Sequence, residues 1–341
     1  MLKVAAYTGG VNDPAARFRV RQYISALAQS GIELVEFVSK LGCHPPRNRL
    51  FRPLWGIGTL AERMTDIVRA YRYDLTLLQR TMLSTYLTME PLTNRPRLLD
   101  VDDAIWLHKK DSDFAKRLAG LCDVIICGNA FLADQFRQWN ANVTIIPTAV
   151  DTDRYHPLVS DDSFEKKVIG WSGSSSGFRY LYSIERPLAV VLKKHPTAFL
   201  RIVADTMPRF NLIPLEQLEF IRWTPEVEVS SIQEMNIGLM PLDDSLWSRG
   251  KCSFKMLTYM ACGVPVVASP IGMNYNVLSL GKIGFGPTDE DAWVATIGTL
   301  LECRETAIQM GKTGRKIVLD NFSTKIIAPR LAECIKQVAN L

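Results

Sequence analysis

The stretch Gly250–Ser269, GKCSFKMLTYMACGVPVVAS, constrains the fold more than any other part of the chain. From Ser253 to Cys262 the apolar residues Phe254, Met256, Leu257, Met260 and Ala261 recur near a helical period, and Gly263 supplies a C-terminal stop. Val264–Ala268 follows as a short, uncharged, β-branched run, which suits a strand buried on both faces. Upstream, Ile237–Leu242 reads as another buried strand, followed by a polar loop from Asp243 to Lys251. Strand, loop, helix, strand is the repeat of an open α/β sheet, where ligands gather outside the carboxyl ends of strands. Arg249 and Lys251 sit in that loop and suit an anionic ligand.

The chain of 341 residues is long enough for two domains, and with 47% hydrophobic and 22% charged residues it is globular rather than disordered. No apolar run approaches the roughly 20 residues of a membrane span. Met1–Tyr7 turns polar too soon for a signal peptide and reads as a first strand, so a cytoplasmic protein is expected. The cysteines (Cys43, Cys122, Cys127, Cys252, Cys262, Cys303 and Cys334) are odd in number and form no CxxC pair, which favours free buried thiols. The four histidines lack ligand spacing, and no metal site is expected. The net charge of +5 is modest, but Lys40–Arg80 alone carries eight cations against three acids.

Further strands are expected at Ile32–Val38, Asp74–Leu78, Arg97–Val101, Cys122–Gly128, Val143–Pro147, Val168–Trp171, Ala198–Ala204 and Leu218–Trp223. Gly9 and Gly10 form a turn after the first strand that permits close backbone approach to a ligand. Arg17, Arg19 and Arg21 begin the next helix, as solvated charge or as an anion site. Arg47, Arg49, Arg52 and Trp55 precede a helix expected over Thr59–Tyr73, with Leu60, Met64, Ile67 and Val68 on one side and arginines elsewhere. This segment suits either an anionic membrane surface or a helix that packs inward and solvates outward. No nucleic-acid-binding motif accompanies the charge. Asp100, Asp102 and Asp103 cluster at a strand end, where helix capping competes with a functional role. Ser172, Gly173 and Ser174 open a Gly/Ser loop able to cradle phosphate, although many such loops are only turns.

The run PLDDSLWSRGKCSFKMLTYMACGVPVVASPIG resembles the signature of family 4 glycosyltransferases, in a subgroup reading RGKCxFKxLxYMAxGxPVVAS. The resemblance implies a GT-B fold: two Rossmann-like α/β domains whose parallel sheets face across a cleft. Residues 1–150 would form the acceptor-side domain, 151–167 a linker, and 168–323 the donor domain, with the final helix, 324–341, returning to the first domain. It also implies transfer of a sugar from a nucleotide-sugar donor to a glycan or lipid-linked hydroxyl acceptor, with retention of configuration. No metal or cofactor would be needed, and there would be no nucleic-acid partner. The protein would be cytoplasmic, with a peripheral contact at the inner-membrane surface expected through Arg47, Arg49, Arg52 and Trp55.

In related transferases the Asp102–Asp103 loop carries a His-Asp pair beside the donor sugar, so these acids are expected to contact sugar hydroxyls. Trp223 and Thr224 lie where relatives meet the nucleobase. Four positions depart from the family's pattern. The family's loop arginine and lysine correspond here to Trp171 and Ser176, and its paired glutamates to Gly250 and Thr258. Lys251 and Arg249 are the favoured substitutes for the cations, ahead of Arg179 and Lys255; Asp243 or Asp244 would replace one acid, and Thr258 would meet the ribose. Ser253, Phe254 and Lys255, at the start of the signature helix, complete the expected donor-binding set. Two rival readings remain: a nucleotide-sugar-binding scaffold, which the missing residues favour, and a sugar-nucleotide epimerase, which would need paired acids and a histidine that the sequence does not visibly offer.

Overall fold

The computed structural model describes residues 1–340 except 12, 43, 47, 109–112 and 159–166, so the expectations for Cys43, Arg47 and linker residues 159–166 lie outside the described residues. The chain divides into two compact units: Met1–Ala149 with Gly250–Cys252 and Thr324–Leu341, and Val150–Arg249 with Ser253–Ser323.

The first unit is built on β1 (Leu2–Thr8), β2 (Ile32–Val38), β3 (Leu75–Gln79), β4 (Arg97–Val101), β5 (Val124–Cys127) and β6 (Val143–Ile145). All pair in parallel, in the order β2-β1-β3-β4-β5-β6. β3 and β4 are buried along their whole length, as expected for central strands covered on both faces. Helices α1 (Ile24–Gln29), α2 (Arg52–Ala70), α3 (Asp113–Leu121) and α4 (Ala130–Phe136) follow in the connections. α1 is preceded by a π turn at Ala16–Val20 and a 3-10 turn at Arg21–Tyr23, so the helix expected from Asp13 onward changes pitch twice.

Two of the arginines read as surface charge or anion ligands are used internally. Arg19 is 4% exposed and forks onto Asp100, with Nε 3.0 Å from Oδ2, and its Nη1 donates to the Ile146 carbonyl at 2.9 Å. Arg21 pairs with Glu36, Nη2 to Oε1 at 2.7 Å. α2 also departs from its expected polarity. It starts at Arg52 rather than Thr59, and it buries Thr59, Arg63, Asp66, Ile67 and Ala70 while Met64 and Val68 face solvent. The reason is backbone demand. Arg63 lies under the sheet's carboxyl edge and donates to the Phe37 carbonyl at 2.8 Å and the Thr8 carbonyl at 2.5 Å.

The second unit carries β7 (Lys167–Ser172), β8 (Ala198–Ala204), β9 (Leu218–Arg222), β10 (Ile237–Met240), β11 (Val266–Ala268) and β12 (Gly284–Phe285). They too are parallel, in the order β12-β11-β10-β7-β8-β9. Its helices are α5 (Phe178–Tyr182), α6 (Glu185–Lys194), α7 (Glu228–Gln233), α8 (Leu246–Arg249), α9 (Phe254–Ala261), α10 (Met273–Leu278), α11 (Glu290–Glu302) and α12 (Arg304–Asn321). α8 is one turn inside the stretch expected to be loop. The residues read as the start of a linker pack within this unit: Tyr155 is buried, and Arg315 donates to the carbonyls of Tyr155, Thr152 and Ala261. The last helix, α13 (Thr324–Ala339), belongs to the first unit, whose core it enters with Ile327, Leu331, Ile335 and Val338.

Removing Arg19 leaves the Asp100 carboxylate buried without its partner. Arg19→Met is expected to lower stability in urea denaturation by about 3–5 kcal/mol, with Arg19→Met/Asp100→Leu recovering much of the loss.

Candidate functional site

In the second unit the strand order reverses between β7 and β10, and the loops leaving these two strands diverge at a switch point of the kind where α/β sheets bind ligands. The loop after β7 is the Gly/Ser segment. Its first amide, Ser172 N–H, donates to the Tyr259 phenol at 2.8 Å. Tyr259 sits at the centre of α9, fully buried, and lies close against the sheet because Gly238 has no side chain: a Cβ there would meet the ring at 2.4 Å. Farther along, Ser175 donates from its amide to Asp205 at 2.6 Å and from its hydroxyl at 2.8 Å, which fixes the 3-10 turn Ser175–Gly177. The Ser174 and Ser176 hydroxyls are 2.6 Å apart.

The same helix supplies a cation. The Lys255 ammonium lies 4.7 Å from the centre of the Trp171 ring, and its stem crosses Gly173 so closely that a Cβ there would meet Lys255 Cε at 2.5 Å. Gly173 is therefore a close-approach position, and the residue that comes close is a lysine. The aromatic ring at the family's arginine position thus seats a lysine from elsewhere in the chain. The expected substitutes, Arg249 and Lys251, make other contacts. Arg249 is exposed and forks onto Asp244 at 2.7 and 3.0 Å, a pair that lowers the Asp244 pKa and raises that of Arg249. Lys251 belongs to the first unit.

The remaining expected donor residues are spread over this unit. Ser253, in a left-handed conformation at φ 53°, is buried and donates to Asn274 Oδ1 at 2.7 Å, while Asn274 donates to the Ser269 carbonyl at 3.1 Å. Phe254 is half-buried at the start of α9. Thr258 is buried, with its hydroxyl donating to the Lys255 carbonyl at 2.7 Å. Asp243 accepts from the Ser245 and Ser248 hydroxyls, which outweigh burial and hold its carboxyl below the usual range. Trp223 and Thr224 are half-buried beyond β9, with the Trp223 amide bonded to the Ala204 carbonyl.

The first unit gathers a second polar cluster at the ends of β3 and β4. Arg80, in a left-handed conformation at φ 64°, reaches Asp102 at 2.6 Å and Asp103 at 2.8 Å. Lys251 Nζ donates to the other Asp103 oxygen at 2.8 Å. Asn129, which caps α4 through its side-chain oxygen, holds the Gly250 and Lys251 carbonyls at 3.0 and 3.1 Å with its amide nitrogen. The Cys252 thiol donates to the Asp102 carbonyl at 3.2 Å. Burial by itself would raise the Asp103 pKa, but Arg80 and Lys251 outweigh it and hold the carboxyl below its usual value. Gly9 and Gly10 end β1 in a turn closed by the Asp13 amide on the Gly10 carbonyl at 3.3 Å. Arg49 and Arg52 are exposed, whereas Trp55 is half-buried and its indole N–H bonds the Leu41 and Gly42 carbonyls, each at 3.2 Å.

Arg80, Tyr259, Asn129 and Asp205 were not singled out from sequence. Each acts through a long-range contact, and none stands in a motif that names its partner. Lys255 was named, but only its position over Trp171 separates it from the other cations.

Residues 167–303 match the family described as Glycosyl transferases group 1. The second unit thus carries a glycosyltransferase-type domain. A 77-residue segment is 40% identical to a GDP-mannose-dependent α-(1-6)-phosphatidylinositol monomannoside mannosyltransferase of Mycolicibacterium smegmatis; it covers 22% of this chain and 20% of that protein, so the match spans about a fifth of the relative's length. Similar solved structures include sucrose-phosphate synthase from Thermosynechococcus elongatus (TM-score 0.75, 18% identity, 99% of each chain). HepE from Anabaena in complex with UDP-glucose is also similar (TM-score 0.73, 14% identity, 99% of this chain and 100% of that one). So is WaaG, a glycosyltransferase involved in lipopolysaccharide biosynthesis (TM-score 0.68, 12% identity, 97% and 99%). At these identities the likeness establishes the fold, which is GT-B.

Because the folded-state pKa of Asp103 is depressed, its stabilising contribution is present above the unfolded carboxyl pKa of about 3.9 and is lost as the pH falls below it. The stability difference between wild type and Asp103→Asn, measured by urea denaturation, should be constant from about pH 5 to 8 and shrink below about pH 4.

Proposed function

We propose that the protein is a retaining glycosyltransferase of family 4, in the subgroup marked by the RGKCxFKxLxYMAxGxPVVAS run, that moves a sugar from a nucleotide-diphosphate donor to a hydroxyl of a glycan or lipid-linked acceptor. The observation that carries this reading is the Lys255 ammonium held across the Gly/Ser loop at the switch point of a glycosyltransferase-type domain. A diphosphate seated there would meet the Ser174 and Ser176 hydroxyls, the first turn of α9 and one positive charge. As the bond from the anomeric carbon to the phosphate oxygen breaks, charge grows on that oxygen, and Lys255 is placed to stabilise it. The acceptor oxygen bonds to the anomeric carbon on the same face and its proton passes to the departing phosphate. This reading assigns neutralisation of the leaving group to Lys255 rather than to a metal ion. Polysaccharide or glycolipid assembly agrees with the involvement of WaaG in lipopolysaccharide biosynthesis and with the phosphatidylinositol monomannoside acceptor of the mycobacterial mannosyltransferase.

A donor-binding protein without transfer is the second reading, and Thr258 favours it. This residue stands where the resembling family has a glutamate, and its hydroxyl is already given to the Lys255 carbonyl.

Calorimetry with UDP, GDP, dTDP and ADP sugars decides between these readings when paired with product analysis. Lys255→Ala should weaken binding of the preferred donor by about tenfold to a hundredfold, the range for a charge-assisted bond of about 1.5–3 kcal/mol. Arg249→Ala should leave binding within about twofold of wild type. Equal binding by wild type and Lys255→Ala would refute the site. Tight binding without transfer to any acceptor would favour the second reading.

A further inference from the structure

The outward face of α2 is apolar along its whole length. Leu50, just before the helix, is 83% exposed, and Leu54, Ile57, Val68 and Tyr71 are 69%, 68%, 66% and 61% exposed. Ala61 and Met64 fill the interval, so the row runs 50, 54, 57, 61, 64, 68, 71, with steps of three and four that keep it on one side of the helix. The polar face, with Thr59, Arg63 and Asp66, is turned into the protein. The polarity of an ordinary surface helix is reversed, and the exposed stripe is about 28 Å long for 19 residues.

The charge around the stripe has one sign. Lys40, Arg49, Arg52, Arg69 and Arg72 are all exposed. The neighbouring acids are engaged elsewhere: Glu62 accepts from the Lys40 amide at 2.9 Å, Asp66 faces Arg63 at 3.4 Å, and Asp74 accepts from the Lys3 amide at 2.7 Å. Trp55 anchors the preceding loop through its indole N–H and thereby fixes where the stripe begins.

We propose that this face of α2 docks on an anionic lipid bilayer, the helix lying in the plane of the interface with Leu54, Ile57, Met64 and Val68 among the acyl chains and the arginines among the headgroups. A helix lying this way buries its apolar face by roughly 5–10 Å and draws further affinity from anionic lipid. Spanning is not involved, since no helix among the described residues is long and apolar enough to cross a membrane. A second copy of the chain is a poorer occupant. Arginines flank both ends of the stripe, so parallel and antiparallel pairing alike would set cation against cation. A layer of anionic headgroups meets both ends at once.

The full chain is sedimented with vesicles of phosphatidylcholine, with and without phosphatidylglycerol. Binding to the phosphatidylglycerol vesicles, weakened by salt and much weaker on phosphatidylcholine alone, is the expected result. Leu54→Ser/Ile57→Ser/Val68→Ser should reduce it by about tenfold or more. Arg49→Gln, Arg52→Gln and Arg69→Gln should each reduce it by about fivefold. All six positions are exposed, and circular dichroism checks that the variants keep the wild-type fold. The proposal is overturned if wild type ignores anionic vesicles or if the folded triple serine variant binds as well as wild type. It is equally overturned if light scattering finds a wild-type dimer that the serine substitutions convert to a monomer.

Discussion

Ser172 gives its amide hydrogen to a phenol carried 87 residues farther along the chain, and the geometry of the second unit's site follows from that bond. Tyr259 can accept it only because α9 lies close on the sheet, which in turn requires the bare backbone of Gly238. With α9 fixed at that distance, Lys255, one turn nearer its start, falls across Gly173 and over Trp171. A buried amide left unbonded costs about 1–3 kcal/mol, so the loop has little freedom to drift from the helix. The loop and the cation that crosses it are set by the same helix, which gives the site its preorganisation.

The first unit solves a different problem. Its sheet ends carry several carboxylates and carbonyls that a parallel sheet cannot pair by itself. Arginines meet them: Arg19 on Asp100, Arg63 on the Thr8 and Phe37 carbonyls, Arg80 on Asp102 and Asp103. Each exchanges solvation for several directed bonds, which is the condition under which a guanidinium is tolerated inside a protein. The local excess of positive charge in Lys40–Arg80 is therefore divided, part spent on internal acceptors and part left on the surface.

That division explains what could and could not be read from sequence. Eleven of the twelve strands among the described residues were legible, central ones such as β3 and β4 as apolar runs buried on both faces, and only β12, two residues long, escaped. The helix at α2 was legible as a helix, but its orientation was not. Met64 and Val68 look like core and Arg63 like surface until the Phe37 and Thr8 carbonyls at the strand ends are seen beneath it. At the site, the glycines and serines of the loop were apparent, whereas the choice of Lys255 over Arg249 and Lys251 rests on its position across Gly173 and over the Trp171 ring. Pattern reveals burial; it does not reveal which buried polar group answers which.

The first unit is assembled from three separate pieces of chain, and the last of them, α13, contributes Ile327, Leu331, Ile335 and Val338 to its core. During synthesis the six strands of this unit leave the ribosome before the second unit, yet the helix that seals them emerges only after it. The second unit can collect all its strands while the first still exposes an apolar groove. The order of completion is thus the reverse of the order of translation, and for that interval the unfinished half depends on chaperones, or on its own partial order, to stay soluble.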